Sequence, residues 1–211
     1  MPTEKAVCDL FNVSRITVRK AYDALSQNGY IRKEQGKGSF VNSKEAGLQL
    51  NQLCGFSEEM RLLGKEPSTR LIRHQVIAPG DQAKKALMME AGQKVHVFER
   101  LRCADGVPMA LEAVHLPFHL FPDIENHDIT QSLYKLLMEQ YYCNPSRAEQ
   151  SIRADLAGPH AERHLKVKSG KPVLTITRVT FDQYGTPFEY VESTYRGDRY
   201  AFHVSLGAKP V

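Results

Sequence analysis

The first forty residues carry apolar positions at helical spacing, then switch to a strand-like period. Ala6, Val7, Leu10 and Phe11 gather on one face of a helix, and Thr3 ahead of them is an N-cap residue. Asn12-Val13 interrupts the pattern. Ser14 can cap a second helix, in which Val18, Ala21, Tyr22 and Leu25 fall at i, i+3, i+4 and i+7 and predict a buried stripe. Asn28-Gly29 supplies the usual helix stop. From Tyr30 the chain reads as strand to Glu34, turn at Gln35-Gly36-Lys37-Gly38, and strand again from Ser39 to Val41. Asn42 to Leu53 is polar and reads as a linker with a short extended stretch at Leu48–Leu50, which puts a domain boundary near residues 45–50.

The remainder of the chain echoes itself. A helix over Phe56–Leu63, stopped by Gly64, leads into it. Ile72-Arg73 then recurs as Ile152-Arg153, Ala83 and Leu87 as Ala161 and Leu165, and Gly92, Val95 and Arg100 as Gly170, Val173 and Arg178. Pro108 recurs as Pro187, one residue out of step. Each copy, roughly 68–116 and 147–196, predicts strand, short helix, strand, hairpin turn, strand. The helices start near Pro79 and Pro159, and the turns fall at Asp105-Gly106 and Tyr184-Gly185. Between the copies, Leu133, Leu136 and Leu137 mark a helix over Ile129–Tyr141, and a last strand is expected over Ala201–Leu206. Two β-α-β-β units sharing a core predict an α+β domain with an antiparallel sheet and flanking helices.

Composition narrows the class. No run of the 211 residues approaches the ~20 apolar residues of a membrane span, and the N-terminus has no signal-peptide pattern, so a cytoplasmic protein without a membrane partner is expected. Cys8, Cys54, Cys103 and Cys143 are widely spaced and suggest neither a zinc site nor a disulfide framework. Residues 1–43 hold seven Lys/Arg against four Asp/Glu, while the other residues hold 21 against 20. The basic excess is thus concentrated in the N-terminal piece, which points to a polyanion partner there.

Candidate chemistry follows the same division. A short helix, a tight turn and a longer helix opening with Ser14, Arg15 and Thr17 form a helix-turn-helix pattern, in which the start of the second helix reaches base edges. An arginine fork suits guanine, and Ser14 and Thr17 suit phosphate. The hairpin with Lys37 at its tip reads as a wing. The bland alternative is a solvated amphipathic helix beside an ordinary hairpin. In the C-terminal piece, His96, Phe98, Arg100 and Arg102 share one face of a strand, and Arg100 with Arg102 make an anion clamp suited to phosphate. The alternative is a pair of surface arginines on a solvated sheet. Glu112 on the partner strand is expected to join that face through a three-residue turn, Ala104-Asp105-Gly106, pairing Arg100 with Ala110 and Phe98 with Glu112; a two-residue Asp-Gly turn would put it on the opposite face. His160 and His164 lie at i, i+4 with no evident third ligand, and His115 and His119 lack partners too. There is no phosphate-binding glycine loop, serine elbow or kinase signature, and neither a metal nor a cofactor is expected.

The segment VSRITVRKAYDALSQNGYIRKEQGKGSFV resembles the winged helix-turn-helix of the GntR family of bacterial transcription regulators. Carried over, MPTE matches the family's Leu-Pro-Ser-Glu helix start, and Lys5, Ser14, Arg15, Thr17 and Arg19 match its DNA-contacting positions. Gln35, Gly36 and Lys37 match its wing tip. Family members usually carry a further helix before that start, so the resemblance implies a winged helix-turn-helix over residues 1–45 that lacks its first helix and exposes apolar faces of the other two.

GFSEEMRLLGKEP, FERLRCADGVPMALE, TQSLYKLL and VESTYRGDRYAFHV are similar to the UTRA effector-binding domain of the HutC subfamily, whose fold resembles chorismate lyase; it is expected over residues 46–211. Matched to the N-acetylglucosamine-type regulators, Phe56 and Ser57 would form a loop over the ligand. Arg100, Arg102, Ser132 and Tyr134 would hold a phosphate, and Glu112 and Tyr195 a sugar. Ser132 and Tyr134 flank Leu133 at a helix start, where hydroxyls and free N–H groups suit an anion independently of any family.

The expected protein is a homodimeric transcriptional repressor whose affinity for operator DNA is set by a small anionic metabolite, most simply a sugar phosphate such as an amino-sugar 6-phosphate. Two rivals stand beside it: an enzyme using the lyase-like fold, and a DNA-binding protein without an effector.

Overall fold

The structure, a computed structural model, describes residues 1–27, 31–34, 38–41, 48–49 and 53–203. The chain divides into two compact units, Met1–Gln52 with Phe202–Val211, and Leu53–Ala201.

In the first unit α1 spans Glu4–Phe11, capped by Thr3, whose hydroxyl accepts from Ala6 N at 3.2 Å. Asn12 closes it in the left-handed conformation (φ 50, ψ 46). Ser14 Oγ then accepts from Thr17 N at 3.2 Å and starts α2, Arg15–Gln27. Strands β1 (Ile31–Glu34) and β2 (Gly38–Val41) pair antiparallel, from Ile31↔Val41 to Glu34↔Gly38. The helix stop Asn28-Gly29 and the wing tip Gln35, Gly36 and Lys37 lie outside the described residues.

The stripe on α2 is narrower than its spacing predicts. Val18 and Tyr22 are buried with Ile31, against the partly buried Val7 and Cys8, whereas Ala21 and Leu25 are exposed. On α1 it is Val7 and Cys8 that face inward. Among the described residues nothing covers Leu10, Phe11 or Ile16, which are 75%, 66% and 71% exposed. Helical spacing names the face of a helix that is apolar; which part of it is buried depends on what packs there.

β3 (Leu48–Gln49) and β10 (Phe202–His203) pair in parallel. β10 is the described part of the strand expected over Ala201–Leu206, and it pairs outside the large sheet.

The second unit carries the repeat into three dimensions. After α3 (Phe56–Leu62), one copy gives β4 (Pro67–Ile77), α4 (Asp81–Ala86), β5 (Val95–Ala104) and β6 (Val107–Pro117). A 3₁₀ turn, Ile124–Asn126, and α5 (Leu133–Tyr141) follow. The other copy gives β7 (Arg147–Leu156), α6 (Pro159–Leu165), β8 (Pro172–Phe181) and β9 (Pro187–Arg196). The six strands form one antiparallel sheet in the order β4-β5-β6-β9-β8-β7. This order reads the same from either edge once the two halves are exchanged.

The register obeys that symmetry. Counting from Pro108 and Pro187, Glu112 corresponds to Val191 and Val114 to Ser193. Both Glu112↔Ser193 and Val114↔Val191 are cross-strand pairs. The pair Ala113↔Glu192 between them therefore lies on a local two-fold axis.

Both faces of the sheet are covered. Ala83 and Leu87 pack with Val95 and Tyr190, and Ala161 and Leu165 pack with Leu101 and Leu111. The helix of each copy thus also touches a strand of the other. On the opposite face, Phe98, Val114 and Phe188 form a core with Leu133 and Leu137 of α5 and with Phe121, Ile124 and Ile129. Each such buried side chain contributes about 1.5–3 kcal/mol. α5, inserted between the copies, and α3 ahead of them have no counterpart in the repeat.

Candidate functional site

The clamp face is set by a bulge, not by a three-residue turn. Ala104 pairs with Val107 across the two-residue turn Asp105-Gly106, both residues having positive φ (52 and 72). That turn alone would send Glu112 to the face opposite Arg100. Next to it, however, Cys103 pairs with Pro108 and Arg102 with Ala110, so Met109 is an extra residue on β6. Pro108 has no N–H to give the ladder, a position where a bulge is readily accommodated. The bulge flips every following side chain, and Arg100 pairs directly with Glu112, not with Ala110, while Phe98 pairs with Val114. The second copy repeats this at Phe181↔Pro187 and Thr180↔Glu189, with Phe188 as the extra residue.

One cavity on this face is lined by all eight residues that sequence reasoning assigned to an effector: Phe56, Ser57, Arg100, Arg102, Glu112, Ser132, Tyr134 and Tyr195. Its open space is about 50 Å³, a few water molecules' worth. Phe56 and Ser57 are the first residues of α3, not a loop, because Gly55 in extended conformation starts the helix just before them. Ser132 caps α5, yet its side chain makes no capping bond. Its hydroxyl and the helix start are thus available at the cavity wall.

Arg100 and Arg102 are not surface arginines: only 4% and 2% of each is exposed. Arg100 donates through Nη2 to Glu112 Oε2 at 2.9 Å and through Nη1 to the Ile129 carbonyl at 3.3 Å. Arg102 donates through Nη2 to Ser57 Oγ at 2.9 Å, lies 3.6 Å from Glu112 Oε2, and sits 4.6 Å over the Phe56 ring. The Nε–H of each arginine is buried without a hydrogen-bond partner.

Sequence reasoning missed Glu59, Arg178 and Glu189, which line the same cavity. Arg178 was visible as the echo of Arg100. Glu59 bonds to the Tyr200 hydroxyl. Glu189 Oε2 accepts from Tyr134 at 2.9 Å and from Thr180 at 2.7 Å. Arg178 Nε donates to Gln150 Oε1 at 3.0 Å.

The carboxyls divide by what they touch. Burial pushes the Glu112 carboxyl up, but Arg102 and Arg100 outweigh it and hold the group below the usual carboxylate range. Burial pushes Glu59 up to about 8, against the pull of Arg178. Burial also raises Glu189, only partly offset by the bonds from Thr180 and Tyr134. Burial raises the Tyr134 and Tyr195 hydroxyls, so both remain neutral donors. Burial lowers Arg102, yet a guanidinium keeps its proton in a protein.

In the first unit Lys5, Ser14, Arg15, Thr17 and Arg19 are all exposed. Ser14 Oγ and Thr17 Oγ1 are 2.8 Å apart. Arg15 and Arg19, one turn apart on α2, reach opposite oxygens of Glu4 at 3.4 and 3.8 Å. Their side chains remain 78% and 67% exposed.

The remaining candidates add little. His160 contacts Glu99, which also approaches Arg73 at 3.7 Å, and no group of three metal-ligating side chains occurs among the described residues. The four cysteines are free, and no described helix is long and apolar enough to cross a membrane.

A helical unit presenting exposed arginines, joined to a sheet that encloses a cationic pocket, defines a transcription regulator with a DNA-reading part and a small-molecule part. Comparison with known proteins supports that class. Residues 1–41 match the bacterial regulatory proteins of the gntR family, and residues 62–201 match the UTRA domain. The transcriptional repressor NagR of Bacillus subtilis is 35% identical over 203 residues, 96% of this chain and 83% of NagR. The regulator GgaR of Escherichia coli is 33% identical over 202 residues, 96% of this chain and 80% of GgaR. Among solved structures, PhnF of Mycobacterium smegmatis has a TM-score of 0.72 at 25% identity, covering 99% of this chain and 92% of that one. YydK of Bacillus subtilis, at 20% identity, has the same fold, with a TM-score of 0.84 over 98% of this chain and 89% of that one. The chain belongs to the GntR family, in the HutC type that carries a UTRA effector-binding domain. It is a regulator of transcription and not an enzyme.

Proposed function

We propose that this regulator is a homodimeric repressor released from its operator by a small phosphorylated metabolite, most simply a sugar phosphate such as an amino-sugar 6-phosphate. The observation that carries this is the buried pair Arg100 and Arg102, each with an unpartnered Nε–H, beside the free Ser132 hydroxyl at the start of α5. Phosphate takes two-pronged bonds from guanidinium and suits a helix start. The ionised Glu112 and the Tyr195 hydroxyl supply an acceptor and a donor for the rest of the ligand.

In this reading residues 1–45 read DNA and residues 46–211 hold the effector. Arg15 and Arg19 exchange Glu4 for base edges and phosphates, Lys5, Ser14 and Thr17 hold the backbone, and Gln35, Gly36 and Lys37 add further contacts to DNA. Two copies suit a palindromic site.

Coupling starts at α3. Arg102 is bonded to Ser57, the second residue of α3, and the cavity has too little open space for a sugar phosphate. Entry of the ligand draws Arg102 to the anion and shifts α3. The chain leaves α3 through Gly55 and Cys54 toward the DNA-reading part, so a shift there biases that part. The coupling is reciprocal: operator must weaken the effector by the factor by which effector weakens operator.

The test is a thermal-shift panel of sugar phosphates. At least one should raise the melting temperature of the wild type and leave Arg102→Ala unmoved. A panel in which no phosphorylated metabolite shifts the protein removes the phosphate reading.

A further inference from the structure

The chain passes between its two units twice, after Gln52 and after Ala201. α3 opens at Phe56, just past the first crossing, and Tyr200 stands just before the second. One buried bond joins these two places: the Tyr200 hydroxyl donates to Glu59 Oε1 on α3. Tyr200 does not line the cavity, yet it touches two side chains that do. It holds Glu59 through its hydroxyl, and its ring lies against that of Tyr195 on β9, with centroids 4.3 Å apart and planes tilted by 42°. Tyr200 therefore stands behind two walls of the pocket that come from different elements.

The backbone ahead of Tyr200 is pinned to the sheet. Arg196 donates through Nε and Nη2 to the two oxygens of Asp198 at 2.9 and 2.7 Å, and through Nη1 to the Leu165 carbonyl at 3.4 Å. Tyr200 N donates to the Arg196 carbonyl at 3.1 Å. A Cβ at Gly197 would lie 2.8 Å from the Pro172 carbonyl oxygen, so this turn sits tight against the start of β8. On the other side, Ala201 leads directly into β10, whose Phe202 and His203 pair with Leu48 and Gln49 of β3. A push on the Tyr200 ring thus meets a fixed turn behind it and a two-residue strand ahead of it. A strand that short is held by few bonds and yields first.

We propose that Tyr200 is a coupling residue, through which an occupied pocket reaches the DNA-reading unit by the second crossing as well as by α3. A ligand too large for the open space displaces the walls around it, and displacement of either Glu59 or Tyr195 carries Tyr200 along. A buried hydrogen bond to a carboxyl is costly to leave unmade, and packed rings leave little slack, so the movement is passed on and not absorbed. Tyr200 then shifts β10, and with it β3, which belongs to the linker that follows the wing. The ligand moves this equilibrium only as far as it prefers the displaced arrangement. This inference rests on the effector reading above and adds to it a named relay and a second route.

The experiment is hydrogen exchange of the full chain, with and without the sugar phosphate that gives the largest thermal shift. In the wild type the ligand should change exchange at residues 48–49 and 202–203 by about threefold or more. Tyr200→Phe keeps the ring and loses the hydroxyl. It should bind the same ligand within about threefold of the wild type and lose most of that change. A wild type that shows the thermal shift but no change in exchange at β3 and β10 overturns the coupling and leaves the effector reading in place. The full change persisting in Tyr200→Phe removes Tyr200 from the role. Affinity lost by about tenfold or more in that variant would make Tyr200 a binding residue and not a relay. If no sugar phosphate shifts the protein, the effector reading falls and the coupling with it. Should Tyr200→Phe fail to fold, Glu59→Ala at saturating ligand removes the other end of the bond and should lose the same change; its persistence there overturns the route.

Discussion

In the proposed reading arginine carries the function in both units of this protein, under opposite physical conditions. Arg15 and Arg19 on α2 are 78% and 67% exposed and lean on Glu4. Arg100 and Arg102 on β5 are 4% and 2% exposed, and two of their N–H groups have no partner. An exposed arginine is hydrated, screened by salt and cheap to move, which suits a surface that must bind and leave a long polyanion. A buried one is fixed in direction and poorly screened, which suits recognition of one small anion. The residue type states neither condition; packing decides it.

Apolar side chains show the same contrast and give the largest expected effect. Leu137→Ala, at a fully buried position facing the sheet, should cost about 2–5 kcal/mol of stability. Leu10→Ala, 75% exposed, should stay within about 0.5 kcal/mol. Denaturant melts of both variants check this, and a large loss at Leu10 would mean that its side chain is covered in solution.

Salt should separate the two groups of arginines next. Raising it from about 50 to 200 mM should weaken operator binding by about 10³-fold, while sugar-phosphate affinity falls less than about tenfold. Parallel losses in titrations at several salt concentrations would erase the distinction. Within the DNA-reading unit, Arg15→Ala should weaken operator binding by about 1–3 kcal/mol and relax the preference at one base position. Unchanged binding would take Arg15 off the base edge.

Stability should also depend on pH. Glu59 is held at about 8 by burial, above its unfolded value of about 4.3. Between those values the folded state keeps a proton that the unfolded state has lost, so this group's contribution to stability falls as pH rises through the window and levels off above pH 8. Glu59→Gln removes that decline, so its melting temperature should gain on the wild type from about pH 5 to 8. Parallel melting curves would show that Glu59 is already ionised in the fold.

Much of this arrangement was legible in the sequence, because the cues were local or repeated. Thr3 and Ser14 named their helix starts, and the recurrence of Ile72-Arg73, Ala83, Leu87, Gly92, Val95 and Arg100 in the second half named a duplication that the strand order then displayed. Glu112 was placed on the arginine face by a wrong route. The three-residue turn does not exist, and the bulge at Met109 supplies the odd residue. A turn and a bulge shift register alike, and alternation cannot say which one occurs. Ala21 and Leu25 were assigned to a buried stripe, and both are exposed. Glu59 and Glu189 were not legible as pocket residues. Which turn of α3 and which side of β9 meets the cavity depends on contacts with Tyr200 and Tyr134, distant in the chain.

The most direct test of the account is operator affinity, measured at fixed salt with and without a saturating sugar phosphate identified by thermal shift. The account predicts that the ligand weakens operator binding, and that operator weakens the ligand by the same factor. Operator affinity unchanged at saturation would contradict it, because the pocket would then bind its anion without informing the helix that reads DNA.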